Sequence, residues 1–361
     1  MNNISFLCRV LSVQRRKNVT FLYISGFSLT RQLMIDNTLF EIYLLKKADI
    51  VSGKCSVQQN EKGYSVFKIE RIEKVVSGSE MPSINFTNKA VEYKKCVNEV
   101  IQESIDYLRK NDFSMHVSPF TIAERSTSIA SPLQVRGVYV DKYIKITHEL
   151  GLKRCLCETL NSVFEIGYVA RDVYNTVTNW FEYLVLEFVS PHKSIDFVKD
   201  FICFFIESAT RIADKYSIKH LDFEDYTVVD ISQTYPNCDE KQWKLIKIET
   251  KNTIFLNAPV DSPLVKEIDG VRSETIWIYN GKSMAHGYVD ENDWKNYVSE
   301  CNRQKKELEC RGIEAEIPEE FISVLKAGLP DSISLGFGID RFFLTFFAFE
   351  NFKEYREIFK S

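Results

Sequence analysis

None of the nine cysteines of this chain, Cys8, Cys55, Cys96, Cys155, Cys157, Cys203, Cys238, Cys301 and Cys310, stands in a Cys-x-x-Cys pair. An odd, scattered set suits reduced and mostly buried thiols better than disulfides, and the five histidines are too dispersed to complete a Cys/His metal site. Charge of one sign is also missing. The formal net charge is -4, which gives no global pull toward nucleic acid or an anionic membrane, so any RNA contact has to come from a local basic patch. No apolar run reaches membrane-spanning length, and Met1-Asn2-Asn3-Ile4 opens the chain without a signal-peptide pattern. Internal repeats and low-complexity segments are absent too. The expectation is a cytoplasmic protein with no membrane partner.

What is present is enough chain, 361 residues at 45% hydrophobic, for one large and one small domain. Residues 1–80 alternate apolar and polar positions in short runs around Ile4 to Val10, Val19 to Ile24, Leu33 to Ile35 and Tyr64 to Ile69, punctuated by Gly26, Gly53 and Gly63. Short strands with tight turns predict a small closed barrel of the oligonucleotide-binding (OB) type. Its turn Arg15-Arg16-Lys17 is either a phosphate contact or a solvated loop. The polar stretch from Ser77 to Asn88, with Pro82, reads as a linker, placed at 81–90 between the barrel and a larger domain at 91–361.

In that larger domain the apolar spacing predicts helices over 91–110, 197–216, 294–309 and 319–326. Three apolar strands joined by charged turns are expected over 144–189, with further strands at 254–256 and 275–279. Strands outnumber helices without regular alternation, which predicts an α+β domain around an antiparallel sheet. Near the C-terminus, Gly-Leu-Pro-Asp-Ser-Ile-Ser-Leu-Gly-Phe-Gly-Ile-Asp-Arg at 328–341 reads as a strand feeding a buried helix with Arg341 at the junction. By itself this stretch leaves two readings open. Arg341 either holds an anion or a flat ring, or pairs with a carboxylate inside plain core.

Three further stretches align with it in order: Ile146-Thr147-His148-Glu149-Leu150-Gly151-Leu152-Lys153-Arg154; Val163-Phe164-Glu165-Ile166-Gly167-Tyr168-Val169-Ala170-Arg171-Asp172 running on to Phe181-Glu182-Tyr183-Leu184-Val185-Leu186-Glu187; and Asn257-Ala258-Pro259-Val260-Asp261-Ser262-Pro263-Leu264. Together they resemble the core of the class II aminoacyl-tRNA synthetases, in the subgroup of the lysyl, aspartyl and asparaginyl enzymes, nearest the lysyl enzymes and their ligase paralogues. The resemblance implies an OB barrel for the anticodon ahead of the catalytic domain. It implies ATP and Mg2+ as cofactors, an amino-acid substrate, tRNA as the default acceptor, and a homodimer with Pro119 at its interface. By position, Arg171 corresponds to the arginine that grips the α-phosphate. Arg341, with Gly338, corresponds to the group lying against ATP, and Tyr183 to the aromatic stacked on adenine. Glu149 corresponds to the acid receiving the α-ammonium, and Glu187 to a side-chain pocket acid.

The departures cluster. Ala170-Arg171-Asp172-Val173 lacks the family's glutamate two residues after the arginine. In Ser283-Met284-Ala285-His286-Gly287-Tyr288-Val289-Asp290, Ser283 replaces a magnesium-binding glutamate and His286 an asparagine, while Asp290 is a shortened lysine-recognising glutamate. Ile276 stands where the other magnesium carboxylate belongs, unless the register slips to Glu274, and Val189 replaces a pocket tyrosine. The expectation is a diverged ligase that forms an aminoacyl adenylate and transfers it to tRNA or another acceptor. The alternative is a catalytically degenerate paralogue with a binding or regulatory role.

Overall fold

The computed structural model describes residues 4–25, 32–38, 45–60, 65–76, 88–122, 132–137, 142–171, 180–310 and 317–359. It divides into two compact units, Met1–Cys96 with Glu354–Ser361, and Val97–Lys353.

The first unit contains a closed five-stranded barrel of β1 (Ile4–Arg15), β2 (Val19–Ser25), β3 (Gln32–Asp36), β4 (Ile50–Gln59) and β5 (Ser65–Val76), in the order β1-β2-β3-β5-β4. Closure follows from β1 pairing with both β2 and β4, which leaves no open edge to pair with another chain. Period-two alternation sends Phe6, Cys8 and Val10 inward from β1, where they meet Leu22, Ile24, Leu33, Ile35, Val51, Cys55 and Ile69. Gly53 is a strand interior here, not a turn. A Cβ on it would lie 2.0 Å from the Arg71 carbonyl oxygen and 2.8 Å from the Phe6 ring, so only glycine lets these strands close. Gly26, Gly63 and the linker segment 77–87 lie outside the described residues. All nine cysteines are free, and burial pushes the Cys8 thiol up to about 12.

The helix α1 (Asn88–Lys110) buries Val97, Val100 and Leu108. The short strands β6 (Ser114–Met115), β7 (Thr121–Ile122), β8 (Gln134–Val135) and β9 (Lys142–Ile144) follow, then α2 (Glu149–Thr159), β10 (Val163–Ala170), β11 (Glu182–Ser190) and α3 (Asp196–Lys215). The chain continues through β12 (Thr227–Asp230), α4 (Ile231–Thr234), α5 (Glu240–Glu249), β13 (Asn252–Pro259), β14 (Glu267–Ile268), β15 (Val271–Tyr279) and β16 (Lys282–Val289). It ends with α6 (Trp294–Glu309), α7 (Glu319–Lys326), β17 (Ile333–Gly338), α8 (Ile339–Phe346) and α9 (Phe352–Phe359). Eight of these strands form one mixed sheet in the order β12-β13-β15-β16-β17-β11-β10-β6, with β14 paired to β15. The architecture is α+β, as expected, but the segment from Glu149 to Thr159, expected within a run of strands, is helical.

One face of this sheet is sealed with aromatic rings. From α3, Phe201 and Phe205 pack on Phe337 of β17, and Phe205 meets Phe342 of α8 edge-on at 4.9 Å between ring centroids. Alternation in β17 places Leu335 and Phe337 under these helices, which leaves Ser334, Gly336 and Gly338 for the other face. Gly287 belongs to the same close layer, since an added Cβ would lie 2.6 Å from the Ser334 carbonyl oxygen and 2.8 Å from both Val198 methyls. The face turned away from α3 lines a cavity.

Candidate active site

The cavity, about 660 Å³, falls within the usual size of a small-molecule site. Strand register orders its floor into rows. Val189, Ser334, Tyr288 and Glu274 are cross-strand neighbours on β11, β17, β16 and β15. Two residues further along, Glu187, Gly336, His286 and Ile276 form a second row. Val185 and Gly338 are neighbours in a third, beyond which Tyr183, Arg171 and Arg341 line the cavity. Gly336 is what lets the second row close up, for a Cβ there would meet His286 Nε2 at 3.3 Å.

The third row ends in positive charge. Arg171 donates from Nε and Nη2 to the Ile146 carbonyl oxygen at 3.4 and 3.3 Å, and its guanidinium carbon is 5.3 Å from the centre of the Tyr183 ring. Arg341 Nη1 donates to the Ser283 carbonyl oxygen at 2.9 Å, and Asp340 beside it fixes α8 to the sheet by accepting from Leu184 N at 2.9 Å. No carboxylate pairs with Arg341 among the described residues. Burial lowers the Arg341 pKa and raises that of Tyr183 to about 12, the two guanidiniums opposing the Tyr183 shift. The Tyr183 hydroxyl is buried without a hydrogen-bond partner among the described residues. At Gly338 an added Cβ would meet nothing closer than 3.6 Å, so local packing does not require glycine there.

The other end is acidic. Glu187 Oε2 accepts from Thr147 Oγ1 at 2.6 Å and from His148 N at 2.8 Å, and burial pushes its pKa up against these contacts. Glu149 opens α2 and lines the cavity; its Oε1 accepts from Lys153 Nζ at 2.5 Å and Tyr288 Oη at 3.0 Å. Asp290 requires a correction. The sequence reading put it in the amino-acid pocket, but its side chain has no exposed surface and does not line the cavity. Its carboxylate lies 2.9 Å from Lys153 Nζ and accepts from Ser332 Oγ at 2.6 Å and Ser334 Oγ at 2.8 Å.

The expected magnesium wall is built differently. Glu274 and Ile276 alternate onto the same face of β15, so a carboxylate is present, two residues from the aligned position. His286 Nδ1 is 3.5 Å from Glu274 Oε2. The His286 side chain is half exposed; desolvation works against its charge, but Glu274 outweighs this and raises the pKa, which favours an imidazolium where a metal would need a second carboxylate. With Ser283 and Ile276 at the two expected ligand positions, these donors do not fit a magnesium ion held by protein carboxylates. Among the described residues no group of three or more His, Cys, Asp or Glu side chains is placed to hold a metal.

Sequence reasoning missed several parts. Lys153 fell within a quoted stretch without being given a role, although its spacing of four from Glu149 was a signal for a helical ion pair. Trp180 and Lys247 line the cavity without any pattern to announce them. A buried cluster behind α2 was not foreseen: Glu165 Oε1 is 2.6 Å from Lys145 Nζ and 3.1 Å from His148 Nδ1, and its Oε2 accepts from Ser118 N and Oγ at 3.0 and 2.6 Å. Asp172 and Val173 lie outside the described residues.

No known family profile matches the chain. It is 24% identical to a lysine–tRNA ligase of Latilactobacillus sakei over 68% of this chain and 58% of that protein, so it spans little more than half the length of that relative. To a lysine–tRNA ligase of Saccharolobus solfataricus it is 23% identical, over 94% of this chain and 84% of the other. An elongation factor P–(R)-beta-lysine ligase of Avibacterium paragallinarum is 22% identical over 66% of this chain and 82% of its own. Among solved structures, an asparaginyl-tRNA synthetase from Pyrococcus horikoshii complexed with asparaginyl-adenylate superposes with a TM-score of 0.74 at 13% identity, covering 99% of this chain and 94% of that one. The fold is thus that of a class II synthetase, an OB-like barrel followed by a large mixed sheet with helices. The chain is thus similar in sequence to lysine–tRNA ligases and in fold to an asparaginyl-tRNA synthetase.

Proposed function

We propose that the protein is an ATP-dependent ligase that activates an amino acid as its aminoacyl adenylate and passes the acyl group to an acceptor, tRNA by default. One observation carries this reading. A single sheet face has two guanidiniums around Tyr183 at one end of the cavity and the carboxylates Glu149 and Glu187 at the other, a charge layout matched to a nucleotide phosphate beside an α-ammonium. The adenylate complex of the structural relative agrees with it.

Activation needs no enzyme nucleophile. The substrate carboxylate oxygen attacks the α-phosphorus in line, a new P–O bond forms, and the bond to pyrophosphate breaks. Arg171 pairs with the α-phosphate oxygens through its planar fork, and Arg341 lies against the nucleotide with Tyr183. The acceptor then attacks the acyl carbon and AMP leaves. Glu149 holds the α-ammonium, and Gly338 keeps the wall open for the nucleotide. His286, whose charged form Glu274 favours, faces the reacting groups, and no step is routed through magnesium.

Partners follow the same reading. The exposed Val117 and Phe120 flank Pro119 and suit a homodimer contact, and the exposed Arg15, Arg16 and Lys17 of the barrel suit an RNA backbone. No helix among the described residues is long and apolar enough to cross a membrane. A second reading, a binding or regulatory paralogue without catalysis, draws on Ser283 and Ile276 in place of carboxylates. Pyrophosphate exchange across the amino acids, run beside ATP calorimetry, decides between them. Exchange with one amino acid supports the ligase; ATP binding with no exchange supports the paralogue, and neither signal refutes the nucleotide site.

A further inference from the structure

The helix α5 brings to the cavity one cation that the mechanism above does not use. Trp243 and, one turn on, Ile246 pack with Ile276 and Ile278 of β15 and Phe255 of β13, which lays α5 on the cavity side of the sheet. The chain leaving α5 is pinned to the β15–β16 hairpin: Gly281 N donates to the Thr250 carbonyl oxygen at 2.9 Å and Asn280 N to that of Lys251 at 2.6 Å. The fit is close, since a Cβ on Gly281 would lie 3.1 Å from the Ile248 carbonyl oxygen. Lys247 follows Trp243 by four residues, is partly buried and lines the cavity. Among the described residues it makes no hydrogen bond and no ion pair.

The hairpin tells which end of the cavity Lys247 serves. Ser283, two residues past Gly281, pairs with Ile278, one step beyond Ile276 of the second row, and its carbonyl oxygen receives Arg341 Nη1 at 2.9 Å. Lys247 therefore stands at the guanidinium end. The lining acids lie in other rows, Glu274 in the first and Glu187 in the second, and Glu149 touches Tyr288 of the first. This end adjoins the wall where Ser283 and Ile276 leave no pair of carboxylates for magnesium. A polyphosphate running along that wall has side-chain cations to meet its charge, and Lys247 is the one with nothing else to hold.

We propose that Lys247 binds the phosphates of ATP beyond the α-phosphate, and that this ammonium supplies charge neutralisation for which the wall has no magnesium ligands. The inference rests on the nucleotide reading of the cavity. When the substrate carboxylate displaces pyrophosphate, the electron pair of the broken P–O bond stays on the leaving oxygen, and the Lys247 ammonium offsets that charge without giving up a proton.

Calorimetry on the full chain tests it with AMP, ADP and ATP, each in EDTA and again with excess Mg2+, for wild type, Lys247→Ala and Lys247→Arg. Wild type is expected to bind ATP more tightly than AMP, and to bind ATP in EDTA within about threefold of its affinity with Mg2+. Lys247→Ala is expected to weaken ATP by about 10- to 30-fold and AMP by less than about twofold, with ADP between them. Lys247→Arg is expected to restore most of the ATP affinity. Without nucleotide the melting temperature of Lys247→Ala should match wild type, because the side chain has no partner to lose. Equal losses for AMP and ATP, or no loss for either, overturn the proposal, as would be the case for a solvated lysine at the cavity rim. ATP binding that requires Mg2+ overturns it too, since a metal then does what is assigned here to Lys247. In each of these cases AMP binding keeps the nucleotide site standing, whereas a wild type that binds no nucleotide removes that reading and this inference together.

Discussion

Replacing Glu165 by glutamine tests whether the buried cluster behind α2 holds the site's frame. The glutamate receives Lys145, Ser118 and His148 together, and Lys145 and Glu165 are each only 5% exposed. Lys145 Nζ also contacts Ser118 at 2.9 Å, so the ammonium ties β9's end, the Ser118 turn and β10 into one unit. Glu165→Gln leaves that ammonium buried beside a neutral amide, and breaking such a pair costs roughly 3–5 kcal/mol. The pKa gives a second route. Burial opposes the charge, but His148, Lys145 and Ser118 outweigh it and take the carboxyl from 4.5 to about 2. At about 1.4 kcal/mol per pH unit this corresponds to about 3 kcal/mol, or about 2–3 after partial screening. Because the folded pKa is depressed, the stabilisation is complete above the unfolded value near 4.5 and is lost as pH falls toward 2. Urea unfolding of wild type and Glu165→Gln at pH 7, 5, 4 and 3 should therefore show a gap of about 3 kcal/mol that is steady down to about pH 5 and then shrinks. A gap below 1 kcal/mol at pH 7, or one that does not change with pH, would refute the reasoning.

Arg341→Ala should weaken ATP binding by about 30- to 100-fold, from loss of about 2–3 kcal/mol of charge-assisted and stacking contact. The melting temperature should change little, since the hydrogen bond lost within the protein is the one to the Ser283 carbonyl oxygen; calorimetry that finds full ATP affinity would place the nucleotide elsewhere. Glu274→Gln should let the His286 pKa fall back toward or below 6.5, read from the imidazole proton shifts by NMR, and an unmoved titration would mean that another group supports the charge. Gly287→Ala should destabilise by about 1–3 kcal/mol through overpacking against the Ser334 backbone and Val198, and an unchanged unfolding curve would contradict the close approach of β16, β17 and α3.

The barrel, the long helices and the strand-to-helix passage at Arg341 were legible because each obeys its own period. Phe6, Cys8 and Val10 alternate, and the phenylalanines of α3 recur on one helical face. α2 was not legible for a reason visible in its buried residues. Leu152, Lys153 and Leu156 form its inner face, so a lysine stands where the periodicity calls for an apolar residue, and Gly151 lowers helix propensity beside it. The glycine has its own cause, since a Cβ there would lie 2.4 Å from Ser118 Cβ. Asp290 misled for the same reason as Lys153. Each looks like a surface or ligand-facing charge in one dimension, and only the tertiary contact reveals that they satisfy each other. Positions such as Arg171 and Glu187 were singled out through resemblance, and Glu274, offered there only as an alternative to Ile276, is put on the cavity face by the strand register.

The row order of the cavity floor separates the side chains it presents from the backbone pairing that holds it. Adjacent rows are separated by two residues on every strand, so each row presents different side chains to the cavity while sharing the same backbone ladders. In the second row, with His286 and Ile276 on β16 and β15, Gly336 leaves room for the imidazole, which a Cβ there would meet at 3.3 Å. Changes at the first row are constrained differently. Val189 packs with Leu152 on α2, and α2 also carries Glu149 and Lys153, so the apolar wall and the buried ion pair are set by the same helix. A change of size at Val189 therefore requires α2 to be repacked, whereas Tyr183 on β11 and Arg341 on α8 lie outside that cluster.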